Sequence, residues 1–192
     1  MAYTSTALNT TSTYAMEATD VSDNQATLTY TVEGVTVEHR LGCRNGALSE
    51  MSYLDLGSAM TGRVQATTRN VEGVLLPENL QVGSTWRNSF DITMTGTGAS
   101  NAINMDATMS AERKVVGEEQ VTVGAGTFTA LKIQGRTKMH FATLITADQR
   151  MPDVILETTE WWVRGKGLVK TETRSGSFGS GFSSEATSIV TP

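Results

Sequence analysis

The chain has 192 residues, a net charge of −5 and a pI near 5.1. That length suits one substantial core and would be a squeeze for two. The acidic balance argues against a nucleic-acid binder, which needs a basic face, and no apolar run approaches a membrane helix in length. Thr supplies roughly one residue in six, which favours strands over helices. The single cysteine, Cys43, rules out an internal disulfide and a Cys-rich metal site. The opening Met-Ala-Tyr-Thr-Ser lacks the basic patch and apolar core of an export signal. The expected location is extracytoplasmic, in the periplasm or at the cell surface, on the assumption that an export signal has been trimmed away; a cytoplasmic location is the alternative.

Residues 4–13 are small and polar, a lead-in that orders only by pairing with a sheet edge. Asn9-Thr10-Thr11 matches a glycosylation sequon, a triplet that is common by chance. A hairpin follows. Ala26, Leu28, Tyr30 and Val32 alternate with threonines, Glu33-Gly34 turns the chain, and Val35, Val37, His39, Leu41 and Cys43 return. Asn45-Gly46 is a strong hairpin turn and leads into a third strand over Ala47–Leu56. Arg63–Val71 reads as a polar strand with Val64 and Ala66 inward, and Leu75–Leu80 as a short helical turn or loop.

Trp86, Asn88, Phe90, Ile92 and Met94 then share one strand face. After a turn at Gly96–Asn101, Ile103, Met105, Ala107, Met109 and Ala111 share another, giving a hairpin longer than usual. Gly117-Glu118-Glu119 is expected to turn, Val121–Val123 to form a short strand, and Gly124–Gly126 to turn again. Strands follow over Thr127–Gly135 and Arg136–Thr146, with Met139, Phe141, Thr143 and Ile145 on one face and a loop over Ala147–Asp153. Val154–Arg164 and Leu168–Arg174 form the last hairpin. One antiparallel domain over residues 1–174 is expected. The Ser/Gly-rich tail 175–192, with Phe178, Phe182 and Ile189, is either an edge strand or flexible.

The total is about ten or eleven antiparallel strands with little helix: an all-β chain. Twist makes so long a sheet coil, and simple hairpin succession favours a barrel or half-barrel over a Greek-key sandwich. Trp161 and Trp162 sharpen the picture. Adjacent strand residues point to opposite faces, so either both faces are covered or one Trp lines a groove.

Three short segments carry a family resemblance: Leu80–Trp86, Val123–Ile133 and Trp161–Lys170. Together they resemble bacterial cell-envelope β domains of unassigned function, and are similar to the lipoprotein-carrier superfamily. The Cys43…Gly46-Ala47-Leu48 segment fits the same pattern loosely. The resemblance spans about Val82–Lys170 and implies a curved antiparallel sheet around an apolar cavity. The chain departs from it in two ways: Cys43 lies mid-chain and is no N-terminal lipidation cysteine, and no lid helix is visible.

Catalytic and cofactor signatures are missing. Gly124-Ala125-Gly126 and Gly165-Lys166-Gly167 lack the endings of phosphate loops and read as turns. His39 and Cys43 share a face roughly 13 Å apart, too far for one metal. His140 falls opposite Met139 and Phe141, and no nucleophile elbow is present. Glu157 and Glu160 point to opposite faces and would not cooperate in hydrolysis. No enzyme, metal or cofactor is expected.

The expected function is a non-catalytic extracytoplasmic domain that binds a lipid or other apolar molecule. Trp86, Phe90, Met105, Met109 and Trp162 would line its cavity, with Glu160 and Arg164 at the polar end. The alternative is a structural or protein-interaction module with a filled core and no small-molecule ligand.

Overall fold

The computed structural model describes residues 1–7, 10–32, 35–55, 65–97, 102–143, 152–175 and 181–189. Of the turn expected at Gly96–Asn101, the first two residues continue the strand 85–97, and residues 98–101 lie outside the described residues, as does the expected turn at Glu33-Gly34. So do the sequon at Asn9, the inward positions Val64 and Ile145, Phe178 and most of the 147–153 loop.

Twelve strands form one sheet and no helix occurs among the described residues. They are β1 Ala2–Ala7, β2 Thr10–Thr19, β3 Gln25–Val32, β4 Val35–Arg44, β5 Ala47–Asp55, β6 Gln65–Gly73, β7 Thr85–Thr97, β8 Ala102–Val123, β9 Gly126–Thr143, β10 Val154–Val163, β11 Gly167–Ser175 and β12 Gly181–Ser188. The spatial order is β5-β4-β3-β2-β1-β12-β11-β10-β9-β8-β7-β6, with every neighbouring pair antiparallel. Such a sheet coils until its ends approach and makes a nearly closed barrel. Residues 74–76 stitch the seam. The Leu75 amide donates to Leu48 O at 2.7 Å, and the Leu48 amide to Leu76 O at 2.8 Å.

The barrel expectation holds, but four local readings change. The polar lead-in forms β1 and β2, in mid-sheet, because β12 takes the far side of β1. The tail segment supplies β12, paired on both edges. Gly117–Glu119 is no turn. β8 runs through it, accommodating one extra residue at a bulge between Val115 and Gly117. The two strands expected over Thr127–Thr146 are one, β9. Asn45 and Gly46 do turn as expected, with φ of 50° and 74°, values that Asn and Gly tolerate.

Burial alternates along β7 and, short of the Val115–Gly117 bulge, along β8 and the β9 residues paired with it. Trp86, Asn88, Phe90, Ile92, Ala107, Met109, Ala111, Val115 and Ile133 are buried, while Glu112, Lys114, Gln134, Arg136 and Lys138 between them are exposed. The buried face is the barrel interior. Three clusters form the core. Tyr3, Val121, Val123, Ala130, Trp161, Val169 and Ala186 make the first. Trp86, Val115, Leu131 and Ile133, with Leu76, Leu80 and Trp162 against them, make the second. Phe90, Ile92 and Met109, flanked by Met94 and Met139, make the third.

Candidate functional site

Register places the expected site residues row by row. Trp86, Arg113, Gly135, Thr158 and Thr173 are direct cross-strand neighbours over β7–β11. Two residues along each strand, Asn88, Ala111, Thr137, Leu156 and Ser175 form the next inward row. Phe90, Met109, Met139 and Val154 follow, and Met94 pairs with Met105 beyond them. The interior wall is thus apolar at the Met end, polar in its middle, and apolar again where Trp86 and Trp162 meet Leu76 and Leu80.

Trp86, Phe90, Met105, Met109, Glu160 and Trp162 all fall on this wall, but in separate groups. Trp86 and Trp162 share one cluster; Phe90 and Met109 share another. The Trp86 indole donates to Leu75 O at 2.9 Å, which fixes the seam segment over the ring. Glu160 and Arg164, expected to act together, are engaged separately. Glu160 accepts the Trp162 indole N–H at 2.8 Å, whereas Arg164, exposed in the β10–β11 turn, donates to Leu80 O at 2.8 Å.

The neighbouring tryptophans settle the two-face question locally: both faces are covered. Trp161 lies on the outward face and is 6% exposed because the end of the β8–β9 hairpin, turned at the bulge, packs on it through Val121, Val123 and Ala130. The hairpin tip is tied down by the Ala125 amide donating to Ala186 O at 3.0 Å. The Trp161 indole donates to Glu119 Oε1 at 2.7 Å, and Lys132 and Lys170 stand 5.5 and 5.0 Å from its ring centroid. The indole and then Lys132 hold the Glu119 carboxyl below the usual glutamate range. Glu172 and Glu185 hold Lys170 above the usual lysine range.

Sequence reasoning missed three features. Arg113 continues the Met109–Ala111 alternation inward and is half-buried, donating to Asn88 Oδ1 at 2.6 Å. The alternation itself would have found it. His39, weighed in the sequence only as a metal ligand, pairs with the Glu50 carboxylate on the adjacent strand, both largely buried. Here the signal was the register across Asn45-Gly46. Third, the outward face carries a recess of about 1090 Å3 over β7–β11. The charged row Arg87, Glu112, Arg136, Glu157 and Arg174 runs along it, one residue per strand. Arg87 Nε and Glu112 Oε1 close to 3.1 Å.

Elsewhere His140, 58% exposed, shares Asp153 with Lys138, both at 2.7 Å. Those two contacts lower the Asp153 carboxyl below its usual range. Tyr3 stacks on Tyr14 at 4.9 Å and donates to Leu168 O, and burial raises its phenol well above the usual range. These contacts order the barrel wall and present no nucleophile beside a base.

Two solved structures share the architecture. One is an inferred exported protein with a YmcC-like fold from Bacteroides fragilis. It is 14% identical with a TM-score of 0.59, and the match covers 98% of this chain and 93% of that one. The other is an inferred lipoprotein from Parabacteroides distasonis, 16% identical with a TM-score of 0.56 and the same coverage. Both likenesses are of fold. No curated protein matches the chain. The family model described as DUF3108-like matches residues 6–177, and the chain belongs to that family.

Proposed function

We propose that this chain is a non-catalytic extracytoplasmic domain that binds a lipid or other apolar molecule against the interior wall of its β barrel. The observation that carries the reading is the composition of that wall. Phe90, Ile92, Met94, Met109 and Met139 form one continuous apolar surface at one end of the long strands. Methionine is unbranched and repacks easily, so a wall that closes on itself without a ligand can open around one. Barrels of about eight strands have interiors that side chains fill or that hold one small ligand, and twelve enclose more. An extracytoplasmic location is supported by the descriptions of the two solved relatives as exported and as a lipoprotein. The non-catalytic reading is supported by the scarcity of acid-base residues, with two histidines and one cysteine in the chain.

Native mass spectrometry of the purified protein, with organic extraction, tests the proposal. A stoichiometric apolar passenger, or uptake of one from a lipid and fatty-acid panel, is expected. A clean unliganded mass with no uptake would contradict it.

A second reading, a protein-interaction module, is favoured by one separate observation: the large recess lies on the outward face and is lined by alternating charges. That reading predicts salt-sensitive association with a macromolecular partner, unchanged by polar substitutions in the Phe90 cluster.

A further inference from the structure

The interior wall contains one group that an apolar core does not explain. Arg113 sits on β8 between buried neighbours, in the sequence of inward residues Met105, Ala107, Met109, Ala111, Arg113 and Val115. Its stem lies over Gly135, where a Cβ would meet Arg113 Cγ at 3.4 Å and Thr158 Oγ1 at 2.6 Å. Gly135 is thus what lets the guanidinium and the Thr158 hydroxyl lie together on the inner wall. Asn88, 5% exposed, orients the guanidinium through its Oδ1. Arg113 forms no ion pair among the described residues, and its one side-chain partner there is a neutral amide. A guanidinium carries five N–H donors in a planar fork matched to carboxylate, and a cation drawn partly out of water is costly unless an anion meets it.

The apolar surface begins close by. Met109 lies four residues along β8 from Arg113, roughly 13 Å, and Met105 eight residues along, roughly 27 Å. Between them Ala107 and Ala111, buried under the wall's own packing, alternate with the methionines, so a tail would take the place of the flexible Met94 and Met139 side chains that flank Met109. One anionic head at Arg113 and one unbranched tail over Ala111, Met109, Ala107 and Met105 would therefore be collinear along a single strand.

We infer that the ligand is a long-chain carboxylate amphiphile, an unesterified fatty acid, whose head group is held by the Asn88-oriented Arg113 fork while its tail lies along the Met–Ala face of β8. This rests on the proposed interior binding and adds the chemistry of the head.

Palmitate and its uncharged counterpart hexadecanol, each titrated against the full chain by native mass spectrometry and tryptophan fluorescence, test it. Palmitate should bind about tenfold or more tightly than hexadecanol, as a charge-assisted hydrogen bond allows. Arg113→Gln should remove that preference by weakening palmitate about tenfold. Because the variant's fold could suffer, the second test uses the unsubstituted chain: the palmitate preference should fade as pH drops through the carboxylate range. Equal binding of both ligands with no pH effect would overturn the head-group inference and leave apolar binding standing. Binding of neither would overturn both.

Discussion

Hairpins β3–β4 and β8–β9 are built alike from alternating sequence, yet they bury different things. In β3–β4 one residue in two faces the interior, and apart from the buried Thr27 the Thr and charged residues at the other positions are exposed or half-exposed. In β8–β9 the strands run 22 and 18 residues, and past the Val115–Gly117 bulge the hairpin end packs over its own sheet. There Trp161, Val121, Val123 and Ala130 are buried on the face that alternation assigns to solvent. Alternation reads a single layer. One extra residue and enough length add a second layer, which period-2 patterning does not encode.

The largest test of that difference is truncation at two outward-facing positions, Trp161 on β10 under the end of β8–β9 and Thr36 on β4. Trp161→Ala should cost about 3–5 kcal/mol in urea unfolding, as for a buried core aromatic. Thr36→Ala on β4, an exposed position, should stay within about 0.5 kcal/mol. If both were small, the hairpin end would not be packed on Trp161.

A smaller effect is expected where the inner wall is tightest. Gly135→Ala places a Cβ at 2.6 Å from Thr158 Oγ1 and should destabilise by about 1–3 kcal/mol. Thr158→Ala should recover much of that in the double variant, a non-additivity that thermal unfolding would read.

Acid sensitivity sharpens the comparison further. The Glu119 pKa is lowered in the folded chain by the Trp161 indole and Lys132. Its contribution is therefore present above the ordinary glutamate pKa, about 4.3, and is lost as pH falls through the lower folded value. Asp91, held down by Asn70 and Thr108, and Asp153 follow the same sign. Glu119→Gln should shrink, without abolishing, the loss of stability on acidification measured across that window. The smallest effect belongs to the outward row: Arg87→Ala removes an ion pair whose side chains are 79% and 65% exposed and should cost less than about 1 kcal/mol.

Much of the fold was legible because β-branched and aromatic residues alternate so regularly between turns. The inward placement of Trp86, Phe90, Met105 and Met109 followed from that period alone, whereas for Trp161 and Trp162 it gave only that they face opposite ways. Three kinds of information did not. The polar lead-in and tail do not announce strands: β1 and β12 form by pairing with each other from opposite ends of the sequence, and β2 then pairs with its neighbours β1 and β3. The Gly117 bulge looks like a turn in sequence, since glycine and two glutamates suit either. Glu160 and Arg164 were coupled by spacing within one strand, whereas nearer acceptors and donors, the Trp162 indole and Leu80 O, decide their contacts. Arg113 was legible and overlooked: its parity follows from Met109, but a charge is not expected inside a wall of methionine and alanine.

Two tryptophans give the most direct test of interior binding, because Trp86 faces the inner wall beside Arg113 and Trp161 lies under the hairpin. Two variants each keep one of the pair: Trp161→Phe with Trp162→Phe leaves Trp86, and Trp86→Phe with Trp162→Phe leaves Trp161. Both would be titrated with a fatty acid brominated beside its carboxylate, a short-range quencher of indole fluorescence. Saturable quenching of Trp86 with Trp161 little affected is the predicted result. Quenching of Trp161 alone, or of both equally, would contradict binding on the inner wall.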